Sequence, residues 1–329
     1  MDFSGLVGKF SLNRPLSSDD YKYQLKQGIR LDVEPHDILA VIKMNSTFLE
    51  SVDKWFGYRG FTTAFAITGI LIFIFPFGYI TVKSLLVALG LVDTGQSRQQ
   101  YAILAAFVGT MLVVICWGML ALFRKEAFAL THYPIRFNRL TRMIHYFRFN
   151  GEVASVRWDD VFFTIAKASS LWSVRGHVLA DDKATVLETF SLSHIGMIYS
   201  HEADPITGQF HAEDHVRPHW EFIRRYMEEG PQQLVQRVQY CVPISDRKET
   251  LKAGLRRLLL NFSGEAGITT VLMSPIYAWL LIGRRVAVMT SKIPRWPKEI
   301  DAVCRVEPGD PYAITGNGDG GRMPDTSHA

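Results

Sequence analysis

Apolar residues along this chain fall into long uncharged blocks at two places and into short alternating runs elsewhere. Phe61 to Val82 is a run of 22 residues without a charge, and Tyr101 to Phe123 is one of 23. At about 1.5 Å per residue, each is long enough for the ~30 Å hydrocarbon core of a bilayer. The first holds 12 Leu, Ile, Val and Phe residues and the second 11. Each such residue favours insertion by roughly 0.3 to 0.6 kcal/mol, with no buried charge to oppose it. The pattern predicts a transmembrane hairpin over 61–123, with spans 61–82 and 101–123. Two core helices of a soluble protein are the competing reading, but such helices rarely run this long without a polar face.

A third apolar stretch, Ala266 to Gly283, has 18 uncharged residues with Pro275 near its middle and only seven Leu, Ile, Val or Phe. Lys252, Arg256 and Arg257 precede it, and Arg284, Arg285, Lys292, Arg295 and Lys298 follow. A third span would carry one of these basic clusters across the membrane. A re-entrant or interfacial helical pair broken at Ser274-Pro275, or a helix packed on the polar domain, avoids that cost.

After the second span the period changes. Arg142 to Phe149, then Asn150-Gly151, then Glu152 to Val161 reads as a β-hairpin, because Asn-Gly suits a type I′ turn with positive φ at both central residues. Runs at Phe162 to Ala166, Leu171 to Leu179 and Ala184 to Leu192 continue the series, with a turn at Asp181-Asp182-Lys183. Pro218 is placed for a first helical turn, and Trp220, Phe222, Ile223, Tyr226 and Met227 give an apolar stripe ending near Gly230-Pro231. An antiparallel meander needs a helix or second sheet to cover its apolar face, and this helix is suited to that. Meander followed by one helix is the order of elements in a pleckstrin-homology-like domain, so the expected class is an α+β membrane protein. Ser245 is placed to cap a helix over 246–260, with Leu251, Leu255, Leu258 and Leu259 on one face and Arg247, Lys248, Lys252, Arg256 and Arg257 on the other. Such a helix suits either an anionic inner leaflet or a core position with a solvated basic side.

The expected organisation is therefore an N-terminal cytoplasmic segment 1–60, the hairpin 61–123, and a β-rich cytoplasmic domain 124–244. A basic helix with the membrane-associated stretch over 245–306 and a disordered tail 307–329 complete it. The N-terminal segment shows one strand-like run, Asp37 to Ile42, and no sustained periodicity.

Composition changes this picture only in detail. The 329 residues are 48% hydrophobic and 21% charged, with 36 Lys+Arg against 32 Asp+Glu and a net charge of +4. Lys43, Lys54 and Arg59 precede the first span, and Arg124, Lys125, Arg136, Arg139 and Arg142 follow the second. Only Lys83 and Arg98 lie between, so both termini are expected in the cytoplasm. Met1 to Arg14 lacks the apolar core of a signal peptide, so the first span is expected to act as an uncleaved anchor. The basic excess is accounted for by the membrane flanks, and nucleic-acid binding has no separate support. Three cysteines, Cys116, Cys241 and Cys304, form neither a disulfide framework nor a zinc pattern, as expected of a reducing compartment.

Candidate chemistry is sparse. His194, His201, His211, His215 and His219 cluster with Glu202, Asp204, Glu213 and Asp214. The spacing of four over 211, 215 and 219 would stack imidazoles on a helix face as metal ligands are stacked. Pro218 disfavours helix just before it, and His201-Glu202 lacks the second histidine of a metalloprotease motif, which favours structural or loop histidines. Asp159-Asp160 would point to opposite faces of a strand, so a strand end or turn fits better than a catalytic carboxylate pair. Gly316, Gly318 and Gly321 match G-x-G-x-x-G formally, but in a Gly/Pro/Asp-rich tail without a strand before or a helix after. No nucleophile elbow, P-loop or Ser-x-x-Lys context stands out, and no catalytic, cofactor or metal site is expected.

The two spans, Pro134-Ile135-Arg136-Phe137-Asn138-Arg139, the run Ile144 to Gly151, Val156-Arg157-Trp158-Asp159-Asp160 and Ile293-Pro294-Arg295-Trp296-Pro297 resemble an uncharacterised family of proteobacterial inner-membrane proteins. Members of that family are often encoded beside type VI secretion effectors, and the likeness covers roughly residues 55 to 300. It implies an immunity or effector-accessory role with a cognate toxin as partner, in the bacterial inner membrane, and carries no catalytic residues. The leading expectation is a membrane-anchored interaction protein that is not an enzyme. The alternatives are a metal-dependent membrane enzyme built on His194 to His219, or a membrane-active toxin formed by the apolar hairpin.

Overall fold

The computed structural model describes residues 10–168, 171–192, 216–238, 240–262, 271–316 and 322–324. The chain is α+β and divides into two compact units. The first comprises 1–58, 130–277 and 292–329, and the second 59–129 and 278–291.

The first unit is built on two antiparallel sheets. Strands β3 (Val41–Met44), β4 (Phe48–Ser51), β5 (Ile135–Asn138), β6 (Met143–Phe147) and β7 (Val153–Arg157) pair in chain order. Beside β3 lie β11 (Ile314–Gly316) and β12 (Arg322–Pro324), making seven strands. The other sheet has the order β1-β10-β9-β8-β2. It comprises β8 (Val161–Ala168), β9 (Leu171–Leu179) and β10 (Thr185–Ser191), edged by the short β1 (Arg14–Pro15) and β2 (Gln24–Leu25). A one-turn helix, α1 (Ser18–Lys22), joins those two edges and is closed by a capping box between Ser17 and Asp20.

The expected single meander is thus corrected to two sheets, and the first unit draws its strands from both sides of the hairpin. The N-terminal segment contributes β3 and β4, because Phe48 to Ser51 find their ladder partners in Ile135 to Asn138, on the far side of the hairpin. The tail to Gly316 is ordered: Ile314 and Thr315 pair with Met44 and Lys43, and the Asp310 carboxylate accepts from the Ser46 amide and hydroxyl at 2.7 and 2.9 Å.

The runs expected at 162–166, 171–179 and 184–192 are strands, and the Asp181 to Lys183 turn stands as expected. Asp182 accepts from the amides of Ala184 and Thr185, and Lys183 adopts φ +54°. The Asn150-Gly151 hairpin forms by a different turn. The Gly151 amide donates to the Arg148 carbonyl at 2.9 Å and the Arg148 amide to that of Glu152 at 2.8 Å, so the loop has three residues with only Gly151 at positive φ, +90°. That is a turn plus a bulge, which relieves Asn150 of the left-handed conformation.

Between the sheets lies one large apolar core. Helix α4 (Arg217–Glu229) fills it with Trp220, Phe222, Ile223, Tyr226 and Met227, all buried, and starts on Pro218 as its position predicts. The Trp220 ring stacks on Trp158 at 5.5 Å and meets Phe163 at 4.6 Å. The polar side of α4 is covered as well. Glu221 accepts from Arg224, from Arg225 and from the Leu31 amide, and Arg225 donates to the Val33 carbonyl. Burial acts to raise the Glu221 pKa, but these donors hold it below the ordinary value.

Helix α5 (Leu251–Phe262) begins later than Ser245. Val242 and Ile244 are buried in a second apolar cluster with Ile38, Ala40, Ile42, Val52, Phe56 and Tyr240, and the chain from Ser245 to Thr250 forms bends rather than helix. Thr250 then caps the helix, its hydroxyl accepting from the Ala253 amide at 3.2 Å.

The second unit holds α2 (Phe61–Ala88) and α3 (Arg98–Arg124), antiparallel neighbours that are longer than the expected spans because the helix continues through Lys83 and starts at Arg98. Both are long and apolar enough to cross a membrane. Their outward side chains, among them Ile72, Phe75, Phe107 and Trp117, are exposed. Close approach is made at glycine, where a Cβ on Gly109 would lie 3.1 Å from Thr81 and one on Gly69 would lie 2.7 Å from Met119. Helix α6 (Ser274–Thr290) begins at the expected Ser274-Pro275 break. From Ala278 onward it runs antiparallel to the start of α2: Trp279 Nε1 donates to Thr68 Oγ1 at 2.7 Å, and Gly283 lies against Gly60 and Ala64. Residues 266–270 of the third apolar stretch lie outside the described residues. A short helix, α7 (Lys298–Val303), follows in the first unit.

Candidate functional site

Strand pairing places Glu50 of β4 opposite Arg136 of β5, Arg136 opposite His145 of β6, and His145 opposite Ser155 of β7. With side chains alternating between faces, these four form one polar row on the same side of the seven-stranded sheet. Each is flanked in sequence by residues serving the opposite face, such as Ile135 and Phe137 about Arg136, and Ile144 and Tyr146 about His145.

Arg136 is the centre of the row. Its Nε and Nη2 donate to Glu50 Oε2 at 3.0 and 2.8 Å, and its Nη1 donates to Asp301 of α7 at 2.9 Å. The guanidinium lies 4.6 Å from the Phe48 ring and 4.5 Å from the Trp296 ring. Trp296 Nε1 also reaches Glu50 Oε1 at 3.3 Å. One strand turn away, Asn138 Nδ2 donates to the Val303 carbonyl at 2.8 Å and to Cys304 Sγ at 3.3 Å. Arg136 and Asn138 together clasp the Trp296 to Cys304 segment onto the sheet. Burial disfavours the Arg136 cation, yet Glu50 and Asp301 outweigh it and hold its pKa above the ordinary value. Burial raises the Cys304 thiol, which makes it a poor nucleophile.

The other end of the row pairs a hydroxyl with an imidazole. His145 Nδ1 lies 2.7 Å from the exposed Ser155 Oγ, and His145 Nε2 is buried with no hydrogen-bond partner among the described residues. Burial, with Arg136 beside it, lowers the His145 pKa to about 4. An imidazole of that basicity is a weak general base near neutral pH, and the group that would orient it in a triad is here a cation. The geometry suits a structural clasp better than acyl transfer.

Of the histidines singled out in the sequence, His194, His201, His211 and His215 lie outside the described residues. His219 is buried in the first turn of α4, with neither ring nitrogen hydrogen-bonded among the described residues, and burial pushes its pKa to about 3. Among the described residues, no group of three or more His, Cys, Asp or Glu is placed to hold a metal ion.

Asp159 and Asp160 sit in a one-turn 3₁₀ helix, Trp158–Asp160, between β7 and β8. Arg142 donates to Asp159 and also to Glu228, which accepts from Trp158 Nε1 at 2.7 Å, so this turn is pinned to α4. Asp160 faces Arg157 instead, at 3.7 Å. The structure does not bring the two carboxylates to one task. Gly316 lies in β11, with β12 as the next described element, so no helix follows it as a phosphate loop requires. A Cβ there would fall 2.6 Å from the Cys241 carbonyl, which explains the glycine by close backbone approach.

Sequence reasoning passed over the polar row because its members are 95 positions apart from Glu50 to His145 alone. The available signal was a polar residue between apolar neighbours at Arg136, His145 and Ser155. At the foot of the hairpin lies a second feature it missed. Glu126, buried, accepts from the amides of Gly60 and Thr63 and from the Thr63 hydroxyl, each at 2.7 Å. It thus caps the N-terminus of α2 from beyond the end of α3. Arg59 Nη2 reaches the Glu126 carbonyl and Ser291 Oγ at 2.8 Å each, and the buried Arg284 donates to the Arg59 carbonyl at 3.1 Å.

No curated protein and no solved structure matches the chain. Residues 112–308 match a family described as a family of unknown function, DUF6708. The matched region takes in β5 to β10, α4 to α7, and three of the row's four residues: Arg136, His145 and Ser155. With well over half of its length inside that match, the chain belongs to the DUF6708 family.

Proposed function

We propose that this protein is a membrane-anchored interaction module, its two-sheet domain held at the cytoplasmic face of a bacterial inner membrane to bind a protein partner. The observation that carries it is the insertion of α2 and α3 between β4 and β5, two strands that pair directly in one sheet. A hairpin with apolar outward residues, inserted into a sheet connection, anchors that domain by two covalent links. Two antiparallel sheets closed by the buried helix α4 support a pleckstrin-homology-like reading, a scaffold suited to binding. The antiparallel run of α6 along α2, which passes the start of α2 at Gly283, supports a re-entrant limb rather than a third span. It keeps Lys252 to Arg257 and Arg284 to Lys298 on one side.

The resemblance to inner-membrane proteins encoded beside type VI secretion effectors makes the partner a cognate toxin, and the role immunity or effector accessory. Capture of the neighbouring gene's product by the full-length protein, with survival of cells expressing that product, is the expected result. Absence of both binding and protection refutes the immunity role. Growth arrest on expression of this chain alone points instead to a membrane-active toxin. Reporter activity on the outer side from a fusion after Ala329 refutes the assigned orientation.

A further inference from the structure

We propose that α5 lies in the headgroup layer of the bilayer, with Leu251, Leu255 and Leu259 inserted among acyl chains and Lys252 and Arg256 on anionic lipid phosphates. The structure divides this helix into two faces, and they are not those of its sequence pattern. Ala253, Gly254, Arg257 and Leu258 are buried, while Leu251, Lys252, Leu255, Arg256 and Leu259 are exposed. Leu258 is buried as its chemistry suggests, but Arg257 is buried beside it. Arg257 is turned inward, where Nη1 donates to the Leu39 carbonyl at 2.7 Å and its guanidinium lies 5.7 Å from the Phe56 ring. Three leucines at a spacing of four are left as an outward stripe, 54%, 39% and 36% exposed, between two exposed basic residues.

Two further observations name the occupant of this face. First, α5 has no acidic residue along its length, so its outer surface is purely cationic and complements an anionic leaflet. Second, α5 packs against the short turn Phe56–Tyr58, and α2 starts three residues later at Phe61. With three residues of chain from the end of that turn to the start of α2, spanning at most about 10 Å, α5 is tethered within reach of the bilayer surface that the span enters. There the leucines reach hydrocarbon while the longer Lys252 and Arg256 side chains extend to the phosphates.

This inference rests on the reading of α2 and α3 as membrane spans, and the test separates the two. Full-length protein with Cys116→Ser, the remaining Cys241 and Cys304 being buried, is labelled with an environment-sensitive fluorophore through Phe75→Cys, Leu255→Cys or Leu187→Cys. Each is reconstituted into vesicles containing brominated lipids, either phosphatidylcholine alone or phosphatidylcholine with phosphatidylglycerol. The Phe75 label is expected to be quenched in both, and the exposed Leu187 label on β10 in neither. The Leu255 label is expected to be quenched strongly only with phosphatidylglycerol. Lys252→Gln or Arg256→Gln should lower the inserted-to-free ratio roughly fivefold per charge removed. A Leu255 label as unquenched as Leu187 while Phe75 is quenched overturns the inference, and equal quenching in both lipids overturns the headgroup role. An unquenched Phe75 label overturns the membrane reading itself.

Discussion

Replacing Arg136 by Met strips the countercharge from Glu50, whose side chain is only 6% exposed. The loss includes two hydrogen bonds from one guanidinium to Glu50 Oε2, a third to Asp301, and two ring faces within 4.6 Å of the cation. Breaking one side of a buried pair costs about 3–5 kcal/mol, chiefly through the carboxylate left behind. The more telling variant is the double one, Arg136→Met with Glu50→Leu. It removes the stranded charge; Asp301, 57% exposed, exchanges its partner for solvent, and the weak Trp296 Nε1 contact is lost at about 1 kcal/mol, so it should be more stable than Arg136→Met alone. Denaturant titration of the full-length protein in detergent, followed by tryptophan emission, measures both, with Trp296 reporting from 4.5 Å away. If the double variant is less stable than the single one, Glu50 is held by something other than Arg136 and the clasp is misassigned.

Acid should destabilise the first unit in a defined window. Burial lowers His145 and His177 from 6.5 to about 4 and His219 to about 3, so each binds its proton in the unfolded chain before the folded one. Asp37 opposes them, since burial raises it from 3.8 to about 6 and its proton favours the fold. Three histidines against one carboxylate leave a net uptake near two protons on unfolding between pH 4 and 6, so stability falls as pH falls there. A flat or rising stability on acidification across that window contradicts this assignment. Gly283→Ala should loosen α6 from α2 by about 1–3 kcal/mol, because a Cβ would lie 2.5 Å from the Gly60 carbonyl and 2.7 Å from Ala64 Cβ. Disulfide yield between Thr68→Cys and Trp279→Cys reads the loss, and an unchanged yield refutes it. Thr250→Ala should cost about 1 kcal/mol through the lost cap, seen as faster amide exchange at Ala253 with the strands unaffected.

What could be read in advance follows from the range of the forces involved. The two long helices declare themselves because hydrocarbon solvation acts on each residue separately, and 22 uncharged positions in a row need no partner to be recognised. The start of α4 at Pro218 and the turn at Asp182 are equally local. Strand β4 was illegible because half of what makes Phe48 to Ser51 a strand is Ile135 to Asn138. The same holds for Ile314 and Thr315, whose partners lie some 270 positions earlier. For α5, the helical period was visible but its facing was not. Arg257 finds a carbonyl and a ring inside the fold, and no pattern of charge announces that. The polar row was hidden for the related reason that its residues become neighbours only through the ladder.

The insertion of the hairpin between β4 and β5 bears on how the protein is made. During synthesis β3 and β4 emerge more than 80 residues before β5, which pairs with β4, and longer still before β11, which pairs with β3, so both ladder edges are open. On the proposed topology, β5 returns to the same compartment only after both helices have entered the bilayer. Sheet closure therefore waits on membrane integration, and a chain whose second helix fails to insert delivers β5 to the wrong side. Such a chain keeps an unpaired strand edge that quality-control proteases and chaperones recognise. On that topology the interrupted ladder makes the sheet its own record of correct assembly, since only a properly integrated molecule presents it finished.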